Sequence, residues 1–339
     1  MKFILFGGVG FIGTNIAKLA LERGHDVMAF DNLMRHGVKE NLAFLKRFPK
    51  FSFQRGDIRN IGAFDRLPTN IDCIINLAAN PSVPKSIDNP VFDFEINVRG
   101  HLNVLEFARK NGRIPVIFAS SNKVYTDKIN TISIKETKTR YEINNRSYIH
   151  GFSEDIDVDG NDGYTNSPYG SGKLSAEKYT REYWKHYGVP VIINRMSCIY
   201  GLFQKGVEEQ GWVDWFLRAK KMGKPITIYG SGKQVRDVLF GNDVAALYLE
   251  EASLMKRLSG CTFNVGGGAR EGFHVSLLET IAILNDTFPG PALKTHFALW
   301  RESDQRIYIS NIRRVKELTG WKPSTPLIKG LRAMWRKYV

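Results

Sequence analysis

Short strand-like runs alternate with amphipathic stretches along the chain. Residues 2–6, 26–30, 52–55, 71–77, 116–120 and 189–195 have strand length and composition. Residues 14–23, 98–110 and 174–187 repeat their apolar positions at helical spacing. The alternation predicts βαβ units and an α/β fold: a Rossmann-type doubly wound parallel sheet, with a smaller, partly discontinuous C-terminal substrate domain. All strand C-termini then lie along one edge, where ligands bind. After about residue 200 the alternation degrades into mixed helices and short strands. The expected division is a first domain over 1–195, with the chain returning to it near 235–265, and a substrate-binding domain from 196–234 and 266–339. Segment 126–168 breaks the rhythm. It is polar, weakly periodic and rich in Asn, Asp and Gly, and so long a loop carries function or structure of its own.

Composition narrows the class. The 339 residues are 43% hydrophobic and 24% charged, which is globular and excludes a disordered or fibrous chain. No apolar run reaches the roughly 18–20 residues that span a bilayer, so a membrane partner is not expected. Residues 1–6 run straight into glycines without a basic leader, so no signal peptide is expected. Cys73, Cys198 and Cys261 are few, odd in number and far apart, which disfavours a disulfide framework and favours a reducing cytoplasm. The seven histidines form no HExxH and no CxxC-type cluster, so no metal is expected. The net charge of +14 comes from basic residues scattered along the chain, densest at 313–316 and 332–337. The latter sit at helical spacing beside Leu331, Met334 and Trp335, as on the solvated face of a C-terminal helix. A solvated surface accounts for the charge best, attraction of an anionic small substrate comes second, and nucleic acid is not expected.

The first chemical signal is a glycine triplet. Gly7, Gly10 and Gly13 lie between a strand and a helix that opens near Phe11 and Ile12. The first allows a tight turn, the second lets backbone approach a pyrophosphate at the helix N-terminus, and the third lets helix and strand pack closely. The spacing G-x-x-G-x-x-G departs from the G-x-G-x-x-G of dehydrogenases. Asp31, ending the second strand, supplies the carboxylate that accepts both ribose hydroxyls of an adenosine and repels a 2′-phosphate, which favours NAD over NADP. Arg35, four residues on, offsets part of that repulsion.

The second signal carries its own control. Tyr169-Gly-Ser-Gly-Lys173 and Tyr229-Gly-Ser-Gly-Lys233 are the same pentapeptide. The second copy lies between β-rich runs at 225–229 and 234–240 and predicts a glycine hairpin turn, where Tyr and Lys have no fixed relation. The first follows Ser167-Pro168 and opens an amphipathic run, so it predicts a helix start. On a helix, Lys173 shares a face with Tyr169, and its ammonium is expected to lower the phenol pKa from about 10. Such a tyrosine can take a proton from a sugar hydroxyl while hydride leaves the same carbon. Ser121, at the end of the strand-like run 116–120, places a hydroxyl where it can share a hydrogen bond with the substrate oxygen.

Together, Gly7, Gly10, Gly13, Asp31, Gly56-Asp57-Ile58-Arg59, Ser121, Tyr169/Lys173 and Arg195-x-x-x-x-Tyr200-Gly201 resemble the extended short-chain dehydrogenase/reductases that act on nucleotide sugars. Within that family the resemblance runs to the CDP-tyvelose (CDP-paratose) 2-epimerases. It is carried by Phe30-Asp-Asn-Leu33, Ser86-Ile-Asp-Asn-Pro90, Asp93-Phe-Glu-Ile-Asn-Val98, Asn122-Lys-Val-Tyr125, Lys138-Thr-Arg-Tyr141 and Ser167-Pro-Tyr-Gly170. Gln210-Gly-Trp-Val213, Gly232-Lys-Gln-Val-Arg-Asp-Val-Leu239 and Arg301-Glu-Ser-Asp-Gln-Arg306 extend it almost end to end. The resemblance implies tightly held NAD, a CDP-linked sugar substrate, transient oxidation at C2, and a homo-oligomer. It implies Tyr169 as base, Lys173 as its charge partner and cofactor ligand, and Ser121 as hydrogen-bonding partner, where the family pattern has Thr. Asp57 and Ile58 would flank adenine. Asn32, Leu77, Ala78, Ala79 and Asn97 would complete the cofactor site, with Phe11, Ile12 and Arg35. Asn122 joins the substrate site, where Arg236 and Arg301 would grip the diphosphate. Relatives often have His at Asn76, whose role stays open.

Two other classes share parts of this pattern. Another nucleotide-sugar enzyme, such as a 4-epimerase acting on a UDP-sugar, needs every residue above except the pocket. A 4,6-dehydratase follows the strand-end hydroxyl with an acidic residue or pair, and here Asn122 and Lys123 stand there. A non-catalytic NAD-sensing regulator keeps the glycines but has no need of Tyr169, Lys173 and Ser121 together.

Overall fold

In a computed structural model, residues 1–160, 163–301 and 304–338 are described. Seven strands form one parallel sheet: β1 (Lys2–Phe6), β2 (Asp26–Asp31), β3 (Phe51–Arg55), β4 (Cys73–Asn76), β5 (Val116–Ser121), β8 (Val191–Met196) and β12 (Cys261–Val265). The strands numbered between these lie outside it: β6 (Ile134–Glu136), β7 (Tyr141–Ile143), β9 (Cys198–Tyr200), β10 (Ile226–Tyr229) and β11 (Val235–Phe240). So do β13 (His274–Ser276), β14 (Thr295–Ala298) and β15 (Ile307–Tyr308).

The strand order β12-β8-β5-β4-β1-β2-β3 explains the near-continuous apolar runs. In β1, Phe3 and Leu5 enter one core and Ile4 and Phe6 the other, so both faces are covered and all four side chains are buried. Each such burial stabilises the fold by ~1.5–3 kcal/mol. The chain winds outward through β1, β2 and β3, then returns to β4 on the other side of β1. That reversal opens a crevice beyond the C-terminal ends of β1 and β4, the place where such sheets bind ligands.

A buried ion pair locks the middle of the sheet to the helix Pro168–Tyr187. Glu177 accepts from Arg195 of β8 at 2.8 Å and from Ser120 of β5 at 2.6 Å, while the Arg195 guanidinium stacks on Tyr125. Removing one partner leaves the other charge stranded, which costs ~3–5 kcal/mol. Thus Arg195, part of the family pattern, has a packing role here.

Segment 126–168 is structured. β6 and β7 form an antiparallel hairpin, and Tyr125, Ile129 and Phe152 pack into a small core with Tyr308. Tyr141 N–H donates to the Lys233 carbonyl, and Phe152 exchanges backbone bonds with Ile309 and Asn311, so the segment is strapped onto the C-terminal part of the chain.

The hairpin expected around Tyr229 is not one. β10 pairs in parallel with β14, whereas β11 pairs with β9, β13 and β15. The turn between them passes from one sheet to another, through Gly230 (φ +83°) and Gly232 (φ +75°). A second correction concerns the helix expected over 98–110. It begins with a π-turn at Glu95–Gly100, and the α-helix spans His101–Lys110. The C-terminal helix Leu327–Tyr338 buries Leu331 and Met334 and exposes Arg332, Arg336 and Lys337.

Candidate active site

The glycine turn forms a cradle at the end of β1. Gly7 has φ +74°, and a Cβ there would stand 2.8 Å from the Ala78 backbone nitrogen. A Cβ on Gly13 would lie 2.5 Å from the Gly7 carbonyl oxygen, so only glycine lets helix and strand close up. The helix Phe11–Glu22 starts from Gly10 with no side-chain cap and no acidic residue in its first turn, leaving its N–H groups to an anion. Phe11 and Ile12 form that first turn.

A cavity of about 350 Å³ opens before the cradle, lined by Gly7 and Gly10, Asp31, Asn32 and Arg35, Asp57 and Ile58, and Leu77, Ala78 and Ala79. Asp31 accepts the Leu33 N–H at 2.8 Å, which holds Leu33 in the left-handed region at φ 62°. Burial raises the Asp31 pKa, opposed by the Leu33 and Val9 N–H groups and by Arg35. Arg35 reaches across the opening to Gln210. Asp57 accepts from Arg59 at 2.8 Å and from Asn32 at 2.9 Å, and the Arg59 bonds hold its carboxyl well below the usual range. Asn97 sits one layer behind. It is buried, exchanges bonds with both backbone groups of Asn80, and reaches the cavity through that residue. Asn76 is likewise structural, bonded to the Ala78 N–H and to His101.

The catalytic candidates come together where β5 ends and the helix Pro168–Tyr187 begins. Ser167 caps that helix through the Gly170 N–H, with Pro168 in its first turn. The Tyr169 phenol lies beside Ser121, and 8% of the residue's surface is exposed. Lys173, 2% exposed, donates to the Ala119 carbonyl at 2.9 Å and lies over the Phe118 ring. The expectation that Lys173 lowers the Tyr169 pKa is corrected here. Burial pushes the phenol up to about 12, with Ser121 and Arg35 opposing, because the ammonium is anchored on a carbonyl instead of the phenol oxygen. Lys173 itself falls to about 8, again chiefly by burial, with Asp93 and Glu177 opposing.

A second cavity, about 580 Å³, shares Glu209 and Gln210 with the first. Arg236 lines it and donates to Asp304 at 2.6 Å. Arg301 lies 3.8 Å over the Tyr229 ring. Lys123 also lines it, 3.8 Å from Asp304 and lowered by burial to about 8. Asn122 donates to Gln305 at 3.2 Å. Of the string 301–306, residues 302 and 303 lie outside the described residues.

Several residues of this region were not singled out from the sequence. Asp304, Gln305, Gln210 and Trp212 fell inside strings quoted for the resemblance without a role, and Lys123 served only to argue against a dehydratase. Tyr229 served only as a control, yet it lines the larger cavity. Asp93 stood in a quoted string without a role, four residues before Asn97, and Asn80 had no signal. Among the described residues, no group of three or more His, Cys, Asp or Glu could hold a metal ion.

The glycine cradle, the uncapped helix and the carboxylate of Asp31 fit a dinucleotide. The family model described as the NAD dependent epimerase/dehydratase family matches residues 3–266, and the chain belongs to that family. Its cofactor is NAD, and it is an NAD-dependent nucleotide-sugar epimerase/dehydratase family member. The CDP-paratose 2-epimerase of Salmonella typhi is 37% identical over 99% of this chain and 98% of its own length. A putative UDP-glucose 4-epimerase of Methanocaldococcus jannaschii is 30% identical, over 98% of each chain. A dTDP-glucose 4,6-dehydratase from Streptomyces venezuelae, solved with NAD bound, superposes with a TM-score of 0.83 at 25% identity, covering 100% of this chain and 97% of that one.

Proposed function

We propose that the protein interconverts CDP-paratose and CDP-tyvelose by transient oxidation at C2 of the sugar. The observation that carries the reading is the meeting of Ser121, Tyr169 and Lys173 at the C-terminal edge of the sheet, next to the glycine cradle. Asn122 and Lys123 stand beside them, where a dehydratase would need an acid–base pair.

In this reading Asp31 receives the adenosine ribose and the first turn at Phe11 and Ile12 receives the pyrophosphate. Asn32, Asp57 and Ile58 flank the adenine, and Leu77, Ala78 and Ala79 form the opposite wall. Bound there, NAD would supply a cationic ring able to accept a hydride from one face of the sugar carbon and return it to the opposite face of the keto sugar. Tyr169 takes the proton of the C2 hydroxyl and later returns it, while Ser121 shares a hydrogen bond with the same oxygen. A phenol raised to about 12 needs positive charge nearby to act as a base, and Arg35, which opposes the rise from the cofactor side, supplies part of it. Arg236 and Arg301 suit the diphosphate, because guanidinium groups pair well with phosphate oxygens.

A UDP-sugar 4-epimerase is the second reading, supported by the relative from M. jannaschii. Sugar-nucleotide chromatography of reactions with CDP-paratose, UDP-glucose and CDP-glucose separates the two. The first should be epimerised, the second should stay unchanged, and the third should give no 4-keto-6-deoxy product. Turnover of UDP-glucose alone would replace the first reading by the second.

The same proposal includes a homo-oligomer and a cytoplasmic setting. Val91 and Phe94 on one helix, and Tyr179 and Trp184 on the helix packed against it, are exposed apolar side chains that suit a partner copy. Three free cysteines suit a reducing compartment.

A further inference from the structure

One acidic group below the Tyr169–Lys173 pair has half of its carboxylate unaccounted for. Asp93 is 1% exposed. Its Oδ1 accepts from Asn80 and from Asn97, each at 2.9 Å. Its Oδ2 is buried with no hydrogen-bond partner among the described residues. That oxygen points at the turn of helix between Tyr169 and Lys173, where a Cβ on Gly172 would stand 3.2 Å from it. A buried carboxylate oxygen without a donor is costly and calls for an explanation.

We propose that Asp93 is a positioning residue: its buried carboxylate, set against the helix turn that carries Lys173, keeps the ammonium charged behind Tyr169. The proposal draws its catalytic meaning from the reading of Tyr169 and Lys173 given above, whereas the electrostatic link does not depend on it. Lys173 is removed from water and donates to the Ala119 carbonyl. Among the described residues, the groups around it come from several elements. Its own helix contributes Tyr169 and Glu177, and Glu177 is engaged by Arg195. The helix His101–Lys110 contributes His101, buried and held neutral, with its pKa down to about 3. Strand β5 contributes the Phe118 ring and the Ala119 carbonyl. Arg35 faces Tyr169 from the cofactor side. Asp93 is the largest influence that keeps the lysine protonated.

The neighbouring architecture holds Asp93 for that task. The π-turn Glu95–Gly100 carries Asn97, whose amide fixes both Asn80 and Asp93 Oδ1, so Oδ2 is kept toward the catalytic helix. π-turns of this kind recur at functional sites. Burial raises the Asp93 pKa, and the two amides and Lys173 oppose that rise.

The test is a ¹³Cε-lysine NMR titration of the full-length, NAD-loaded protein, with the Lys173 signal assigned by its loss in Lys173→Met. Asp93→Asn should lower the Lys173 midpoint by about one unit or more, a tenfold shift toward the neutral amine at fixed pH. Turnover of Asp93→Asn should then be lost on the alkaline side, about tenfold at pH 8.5, and return to within about threefold of the parent at pH 6.5. A merely structural loss would lower turnover equally at both values. Should Asp93→Asn not fold, Asp93→Ser is also uncharged and gives the same reading. An unmoved Lys173 midpoint overturns the proposal. A moved midpoint in a protein that turns over no nucleotide sugar upholds Asp93 and rejects the proposed function instead.

Discussion

Two identical pentapeptides sit sixty residues apart in this molecule and behave differently in every respect that chemistry can use. In the first, Ser167 and Pro168 start a helix, so Tyr169 and Lys173 are brought to one buried face beside Ser121. In the second, β10 runs into a turn, Tyr229 donates to Glu208 at 3.1 Å, and Lys233 pairs with Glu136 at 2.7 Å. The glycines also serve opposite ends. Gly230 and Gly232 are there for positive φ. Gly170 and Gly172 are helical and are there for space, since a Cβ on Gly170 would lie 2.2 Å from the Lys123 carbonyl oxygen. Five residues thus become a buried helix start or a corner according to what precedes them.

The sharpest way to break this comparison is to make the same change in both copies. Tyr169→Phe should lower turnover by about 10²–10⁴, the usual contribution of a positioned acid–base group. Tyr229→Phe removes only the bond to Glu208 and keeps the ring under Arg301, so turnover should stay within about threefold of the parent. Equal losses in a steady-state assay would show that the copies are not separated as described.

A smaller effect separates the glycines. Gly170→Ala forces the helix start away from the Lys123 carbonyl, and denaturant unfolding should show a loss of ~2–3 kcal/mol together with a fall in turnover. Gly232→Ala meets the side chain of Leu278 and a left-handed backbone, and should cost ~1–2 kcal/mol with turnover nearly unchanged.

Much of this was legible in the chain because period and punctuation agreed. The runs at 2–6, 26–30 and 116–120 sit in the sheet because their alternate residues are apolar on both faces, a pattern only a covered parallel strand explains. Pro168 after Ser167 marked the helix start. What failed depended on partners far away in sequence. β10 and β11 look like a hairpin because they are adjacent, yet each finds a better partner, β14 for one and β9, β13 and β15 for the other. Tyr169 was expected to be the more acidic phenol because Lys173 is four residues on. The lysine instead anchors on Ala119, and burial dominates. Asp93 and Asn97 stood in one quoted string, but only folding shows that they lie behind Asn80 and beneath Gly172.

The central claim is that the sugar carbon is epimerised by hydride removal and return within this site. Its chemical rivals are enolisation toward a neighbouring ketone, which exchanges the C2 hydrogen with water, and cleavage of a carbon–carbon bond. CDP-paratose should therefore be converted to CDP-tyvelose in heavy water and the product examined by proton NMR and mass spectrometry. The account predicts no deuterium at C2 and retention of the label from C2-deuterated substrate, because the hydrogen rests on the enclosed cofactor and never meets solvent. Deuterium from solvent at C2 of the product would contradict it.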